Sequence, residues 1–196
     1  MFIQKVSLAS KKICTMKKIT FLTSLAFIFI MLLSVNVQAQ KFSDLDKSPM
    51  DAASYPSDYK VSDKLIKVIY SRPQLKGRSL DNLAPNGKVW RTGANESATI
   101  TLYKDMKLGS TIVKAGTYSL ATIPGEKEWT IILNSDVNTW GSYSYNEAND
   151  VARINVPVMK ADESIEAFSI AFEKGTNAID MYLAWDTLRV KVPFLN

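Results

Sequence analysis

The chain has 196 residues, with 24 Lys and Arg against 19 Asp and Glu, a single cysteine and no histidine. Without histidine there is no Ser-His-Asp triad, no Cys–His nucleophile and none of the common zinc or copper sites, and a lone cysteine closes no intrachain disulfide. Catalysis would have to use carboxylates, Lys, Tyr or a Ser–Lys pair, and a metal would have to be a hard cation on oxygen ligands; no cofactor and no metal is expected.

Met16-Lys17-Lys18 leads into an apolar run that ends at Leu33, and Ser34 to Ala39 follows with small residues at Val37 and Ala39. That order of basic, apolar and small residues reads as a secretory signal peptide over residues 1–39, with the cut expected after Ala39. The apolar run is shorter than the roughly 20 residues a bilayer span needs. Residues 1–15 read as an over-extended start or a longer basic region. Five basic residues (Lys5, Lys11, Lys12, Lys17, Lys18) and no acidic one lie ahead of the cut, so the processed chain is electrically balanced. The basic excess therefore belongs to the leader. It is no evidence for a nucleic-acid partner, which needs a basic face on the folded domain. The reading places the protein outside the cytoplasm, in the periplasm or the medium.

Residues 40–63 are polar, with Pro49 and Pro56, and read as an extended, partly mobile arm without a core of its own. From residue 64 to 196 the pattern is that of one β domain. Ile66, Val68 and Tyr70 alternate with polar neighbours, as do Ala98, Ile100 and Leu102. Thr117 to Ile123 follows the turn signal Ala115-Gly116, and Trp129 to Leu133 follows Pro124-Gly125. Phe168, Ile170 and Phe172 share one face. Ile179, Met181, Leu183 and Trp185 share another, and Leu188, Val190, Val192 and Phe194 form the last. Period-2 alternation with β-branched and aromatic residues predicts strands. Asp186-Thr187 is short enough to be a hairpin between the last two. Ala161 to Phe168 is open to one helical turn or to strand entry. The expected fold is all-β: an antiparallel β-sandwich, jelly-roll-like or barrel-like, of about eight to ten strands. Trp129 and Trp185 fall on apolar strand faces and are expected in the core.

The polar, directional residues concentrate in Pro85 to Glu96, where a turn, the basic-aromatic stretch Lys88-Val-Trp-Arg91 and a second turn follow one another. Arg72, Arg78 and Arg91 sit at strand ends or turns; drawn together they would hold a carboxylate or phosphate. Each could equally pair with a structural partner, Arg91 with Glu96 among them. Gly93-Ala-Asn95-Glu96 reads as a turn, since Gly and Asn tolerate positive φ. Trp140-Gly-Ser-Tyr143-Ser-Tyr145 is a loop with three aromatics, which either contacts a ligand or folds back as a cap.

Tyr70-Ser-Arg-Pro73, Lys76-Gly-Arg78, Gly87-Lys-Val-Trp-Arg-Thr-Gly-Ala-Asn-Glu96, Ala115-Gly-Thr-Tyr-Ser-Leu120, Ile123-Pro-Gly125, Glu128-Trp-Thr130, Trp140-Gly141 and Leu183-Ala-Trp185 occur in that order. The ordered set resembles the DUF2911 family, small exported bacterial proteins typical of Bacteroidetes, over roughly Lys64 to Phe194. The resemblance implies export and a compact domain. It implies no activity, ligand or catalytic residue.

From the residues themselves, the expectation is a non-enzymatic binding or structural module. Its contact surface is assigned to Arg72, Arg78, Trp90, Arg91, Asn95, Glu96, Trp140 and Tyr143, and its partner to a small anionic ligand, a glycan or a peptide. The alternative is a carboxylate-dependent hydrolase acting on an envelope glycan, drawing on two of Glu96, Asp136, Glu147, Asp150 and Asp186. A third possibility is that the Pro85–Glu96 block is architectural.

Overall fold

The computed structural model describes residues 40–195, and the compact unit begins at Leu45. The expected leader, residues 1–39, lies outside the described residues. Among them no helix is long and apolar enough to cross a membrane.

The architecture is antiparallel β. In chain order the strands are β1 (Met50–Tyr55), β2 (Ile66–Ser71), β3 (Ala98–Leu102), β4 (Met106–Leu108), β5 (Thr111–Val113), β6 (Gly116–Ile123), β7 (Glu128–Asn134), β8 (Asp150–Lys174) and β9 (Ala178–Leu195). A four-residue helix, α1 (Leu80–Leu83), and a 3₁₀ turn at Glu147–Asn149 interrupt them. The nine strands form one hydrogen-bonded order, β1-β2-β3-β6-β7-β8-β9-β4-β5. Two long strands make this continuity. β8 pairs with β7 from Asp150 to Pro157 and with β9 from Val158 onward, while the far end of β9 pairs with β4.

Aromatic side chains then connect strands that are not neighbours in this order, so that the sheet has two arms in contact. Trp90 stacks on Trp185 with ring centroids 5.6 Å apart, and meets Phe168 and Trp129 edge-on at 5.0 and 6.1 Å. Phe168 meets Tyr70 edge-on at 5.6 Å. Trp129 and Trp185 are both buried, as their alternation requires. The Tyr70 hydroxyl accepts a 2.8 Å hydrogen bond from the Ile170 N–H, so a side chain of β2 satisfies a backbone donor of β8. Burial, ahead of every other influence, pushes the Tyr70 phenol up from its ordinary pKa.

Two expectations are corrected, and the open choice at Ala161–Phe168 falls to strand. The arm at residues 40–63 is not without structure, because its Met50–Tyr55 stretch pairs residue for residue with β2 and packs Ala53 and Tyr55 on the core. Asp186-Thr187 is not a hairpin. β9 runs straight through it, and the chain reverses earlier, between Lys174 and Ala178. Asp186 has φ +49°, and this left-handed residue lies where the inward set changes from odd (Ile179, Met181, Leu183, Trp185) to even (Val190, Val192, Phe194) positions. A hairpin and a bulge both change that parity, so alternation alone does not separate them. Ala161 to Phe168 is strand throughout.

Tyr70→Phe keeps the ring and removes the acceptor, which leaves a buried N–H on Ile170. Stability should fall by about 1–3 kcal/mol, read as a lower urea midpoint at an unchanged m-value. An unchanged midpoint would mean that the hydroxyl does not join the two arms.

Candidate functional site

The Pro85–Glu96 block divides at Arg91. Trp90 forms a backbone bridge with Thr122, donating at 2.7 Å and accepting at 2.9 Å, and its indole enters the aromatic cluster at 7% exposure. Thr92 is fully buried at φ +54°, and an added Cβ on Gly93 would come within 2.9 Å of the Ser71 carbonyl oxygen. This first half is therefore fixed by packing. The second half turns outward, with Asn95 at φ +60° and Glu96 exposed.

A loop from Ser135 to Asn149 closes over the same sheet face. Buried Asn134 holds its base, donating to the Asn146 carbonyl and the Asp150 carboxylate and accepting from the Asp136 N–H at 2.8–2.9 Å. Tyr145 donates to Asp150 at 2.7 Å and accepts from Arg153, and Arg153 also pairs with Asp150 and Glu147. The loop tip is tied to the motif block. Ser97 N–H donates to the Thr139 carbonyl and Gly141 N–H to the Asn95 carbonyl, both at 3.0 Å. The Ser97 hydroxyl donates to the Gly141 carbonyl and accepts from Thr139. Gly141 has φ +66°, and an added Cβ there would meet the Tyr143 ring at 2.8 Å and Arg91 Nη1 at 3.2 Å. Glycine is favoured by the left-handed conformation, and a side chain there would also have to displace the exposed Tyr143 ring.

This pinning makes two different spaces. On one side, Arg91 faces a niche with Asp136, Ser97, Ser119 and Tyr145; the cavity volume is about 20 Å³, room for about one water molecule. Arg91 Nε is buried without an acceptor among the described residues, and a water in the niche would supply one. On the other side, a groove of about 420 Å³ is lined by Met50, Ile69, Ser71, Glu96, Thr99 and Asn138. A neighbouring 260 Å³ groove shares Met50, Ser71 and Glu96 with it and adds Asp46, Ser48, Asn95 and Trp140. Glu96 and Trp140 stand opposite each other in an antiparallel bridge, and Trp140 is 60% exposed.

The eight residues assigned from sequence thus separate. Asn95, Glu96 and Trp140 come together in the groove. Tyr143, 85% exposed, lies against Gly141 beside Arg91. Trp90 is core. Arg72 donates to Asp51 at 3.0 Å, to the Phe168 carbonyl at 3.1 Å and to Ser169 at 2.7 Å, tying β1 to β8. Arg78 curls onto its own turn, donating to the Leu75 and Gln74 carbonyls. The three arginines do not gather, and no ion pair joins Arg91 to Glu96 among the described residues. Of the carboxylates considered for hydrolysis, Glu147 and Asp150 are committed to Arg153. Asp136 accepts from Asn149, and Asp186 from Ser164. Among the described residues no three acidic side chains gather into a metal site. Asp46, Ser48 and Met50 were missed because their stretch carries no strong alternation, and Asn138 because nothing in sequence links it to β2.

The fold and site define a nearly all-β antiparallel domain with a loop-bordered surface groove. The chain belongs to the DUF2911 family, described as a protein of unknown function, whose model matches residues 48–194. The match begins ahead of Lys64 and so takes in β1. No curated protein and no solved structure matches the chain.

Burial and then the hydrogen bond to Asp150 push the Tyr145 phenol from 10.0 up to about 12. The unfolded chain releases this proton near pH 10, whereas the folded chain holds it to about 12. The stabilisation is therefore complete below pH 10 and lost as pH rises through 12. Tyr145→Phe should lose Tm less steeply than wild type across that window in thermal melts; parallel slopes would remove Tyr145 as the anchor of the loop.

Proposed function

We propose that the protein is an exported, non-catalytic binding module that takes a neutral glycan in the groove beside Trp140 and Glu96. The observation that carries this reading is the Glu96–Trp140 bridge, which sets a largely exposed indole next to a carboxylate at the junction of two grooves. An indole face supplies apolar contact to a sugar ring. The side chains of Glu96, Asn95, Asn138, Ser48, Ser71 and Thr99 supply the donors and acceptors that hydroxyl groups need.

Charge selects among the ligand classes. The groove contains Glu96 and Asp46 and no basic side chain among its lining residues. A phosphate or carboxylate would meet like charge there, and the nearest argument for an anion, Arg91, lies behind the pinned loop. Recognition sites are ordinarily concave with a few placed polar groups, and these grooves have that character. The signal-peptide pattern of residues 1–39 supports export, and the envelope is where glycans are met.

Hydrolysis would need one of Glu96 and Asp46 to be held protonated as general acid. Both side chains are exposed to water and neither sits in an apolar pocket, so binding is the stronger reading. Calorimetric titration with neutral, sulfated and carboxylated oligosaccharides tests it. Saturable binding should be seen for neutral glycans, and Trp140→Ala should weaken it by roughly tenfold, the loss of an aromatic contact and the area it covers. Preference for the acidic glycans, or an affinity that Trp140→Ala leaves unchanged, would overturn the assignment. Release of reducing ends that stops in Glu96→Gln would replace binding by hydrolysis.

A further inference from the structure

Strand register fixes the floor of the groove beside Trp140. Met50 of β1 stands opposite Ser71 of β2, and Ile69 of β2 stands opposite Thr99 of β3. Directly paired residues share a face, and so do residues two apart on one strand. These four side chains therefore belong to one surface, turned away from the core set Val68 and Tyr70. It extends about 7 Å along β2, from Ser71 to Ile69, and about 10 Å across the strands, from Met50 to Thr99.

The two cavities of the groove meet on this surface, since Met50, Ser71 and Glu96 line both. Trp140, with Ser48 and Asn95, lines only the part of 260 Å³. Ile69, with Thr99 and Asn138, lines only the part of 420 Å³. The shared residues lie between, so Trp140 and Ile69 stand at opposite ends. The ends are alike in chemistry, because each sets an exposed apolar side chain beside amide and hydroxyl groups; Trp140 is 60% and Ile69 37% exposed. Pockets for drug-sized ligands have volumes of about 300–1,000 Å³, and a single sugar ring is smaller than such a ligand. One ring placed on the Trp140 indole would leave Ile69 and Thr99 uncovered.

We infer that the groove takes a neutral oligosaccharide along its length. One unit lies on Trp140, the next crosses the Met50–Ser71 pair beside Glu96, and a third covers Ile69 and Thr99. This rests on the glycan reading above and adds that the ligand is a chain, held at two apolar platforms, instead of a single sugar. The translational cost of association falls once on the whole chain, so each further unit that reaches a wall of the groove adds its own contact.

Calorimetric titration of the protein with chito-oligosaccharides and malto-oligosaccharides of one to five units tests this length directly. In a series that binds, affinity should rise by roughly tenfold from one unit to three, the worth of covering about 50 Å² of apolar surface. It should then level off, because a fourth or fifth unit leaves the groove. Ile69→Ala changes an outward position and keeps the buried residues of β2. It should weaken binding of the trisaccharide more than that of the monosaccharide. Equal affinity for one unit and three would overturn the inference and leave the glycan reading standing. A gain with length that Ile69→Ala leaves intact would do the same. If neither series binds, the glycan reading falls and this inference with it.

Discussion

Everything about the outward surface depends on where the Trp90 indole is buried. The motif block touches the sheet through a two-bond bridge to Thr122, a bond from the Ala98 N–H to the Arg91 carbonyl and one between the Thr92 and Thr122 hydroxyls, and hydrogen bonds of that kind contribute about 1 kcal/mol each. An indole buries about 150–250 Å², which at about 25 cal/mol per Å² amounts to roughly 4–6 kcal/mol as an upper value. Burial is therefore the largest single contribution to the position of the block, and the bridge decides its register. With Trp90 stacked on Trp185, Arg91 is directed to the opposite side of the chain. The left-handed turn at Thr92 and the close approach of Gly93 to Ser71 then deliver Asn95 and Glu96 to the groove. The same cluster draws Tyr70, Phe168 and Trp129 from β2, β8 and β7, so the two arms of the sheet and the block share one set of contacts.

The β character was legible from alternation because burial on one face imposes period 2 directly on the chain. Ile66, Val68 and Tyr70 are inward for that reason, and so are Ala98, Ile100 and Leu102. β1 was not legible. Its exposures alternate weakly, because as an edge strand it needs only Ala53 and Tyr55 to pack. The long β9 was read as two strands because Asp186 reverses parity in the way a turn would. Length was the missing constraint: a bulge costs a strand one residue, and sequence does not say whether the partner strand continues past it. Here β8 does continue, through Val158 to Lys174.

The site was legible in part and for a definite reason. Asn95, Glu96 and Trp140 stand out as polar or aromatic residues in turns, where packing has no need of them. The arginines stand out equally, but Arg72 and Arg78 answer to backbone carbonyls and to Asp51 and Ser169, partners that lie far along the chain or in an unremarkable turn. What joins the groove together is the register of the loop tip on Asn95–Ser97, a tertiary fact with no trace in residue spacing. Charge balance carries over more simply. A groove with Glu96, Asp46 and no basic lining residue belongs to a chain whose residues 40–196 carry as many acidic as basic side chains.

The central claim is that burial of Trp90 holds the groove in place at a distance, through the block and the pinned loop. Native-state hydrogen exchange at the Ser97 and Gly141 amides, which donate across the loop tip, measures this directly when wild type is compared with Trp90→Leu. The account predicts that protection of both amides falls together with global stability, because the loop tip loses its register when the indole is removed. If the variant is destabilised globally while these two amides open by local fraying at the wild-type rate, the groove is organised by the loop alone and the account is contradicted.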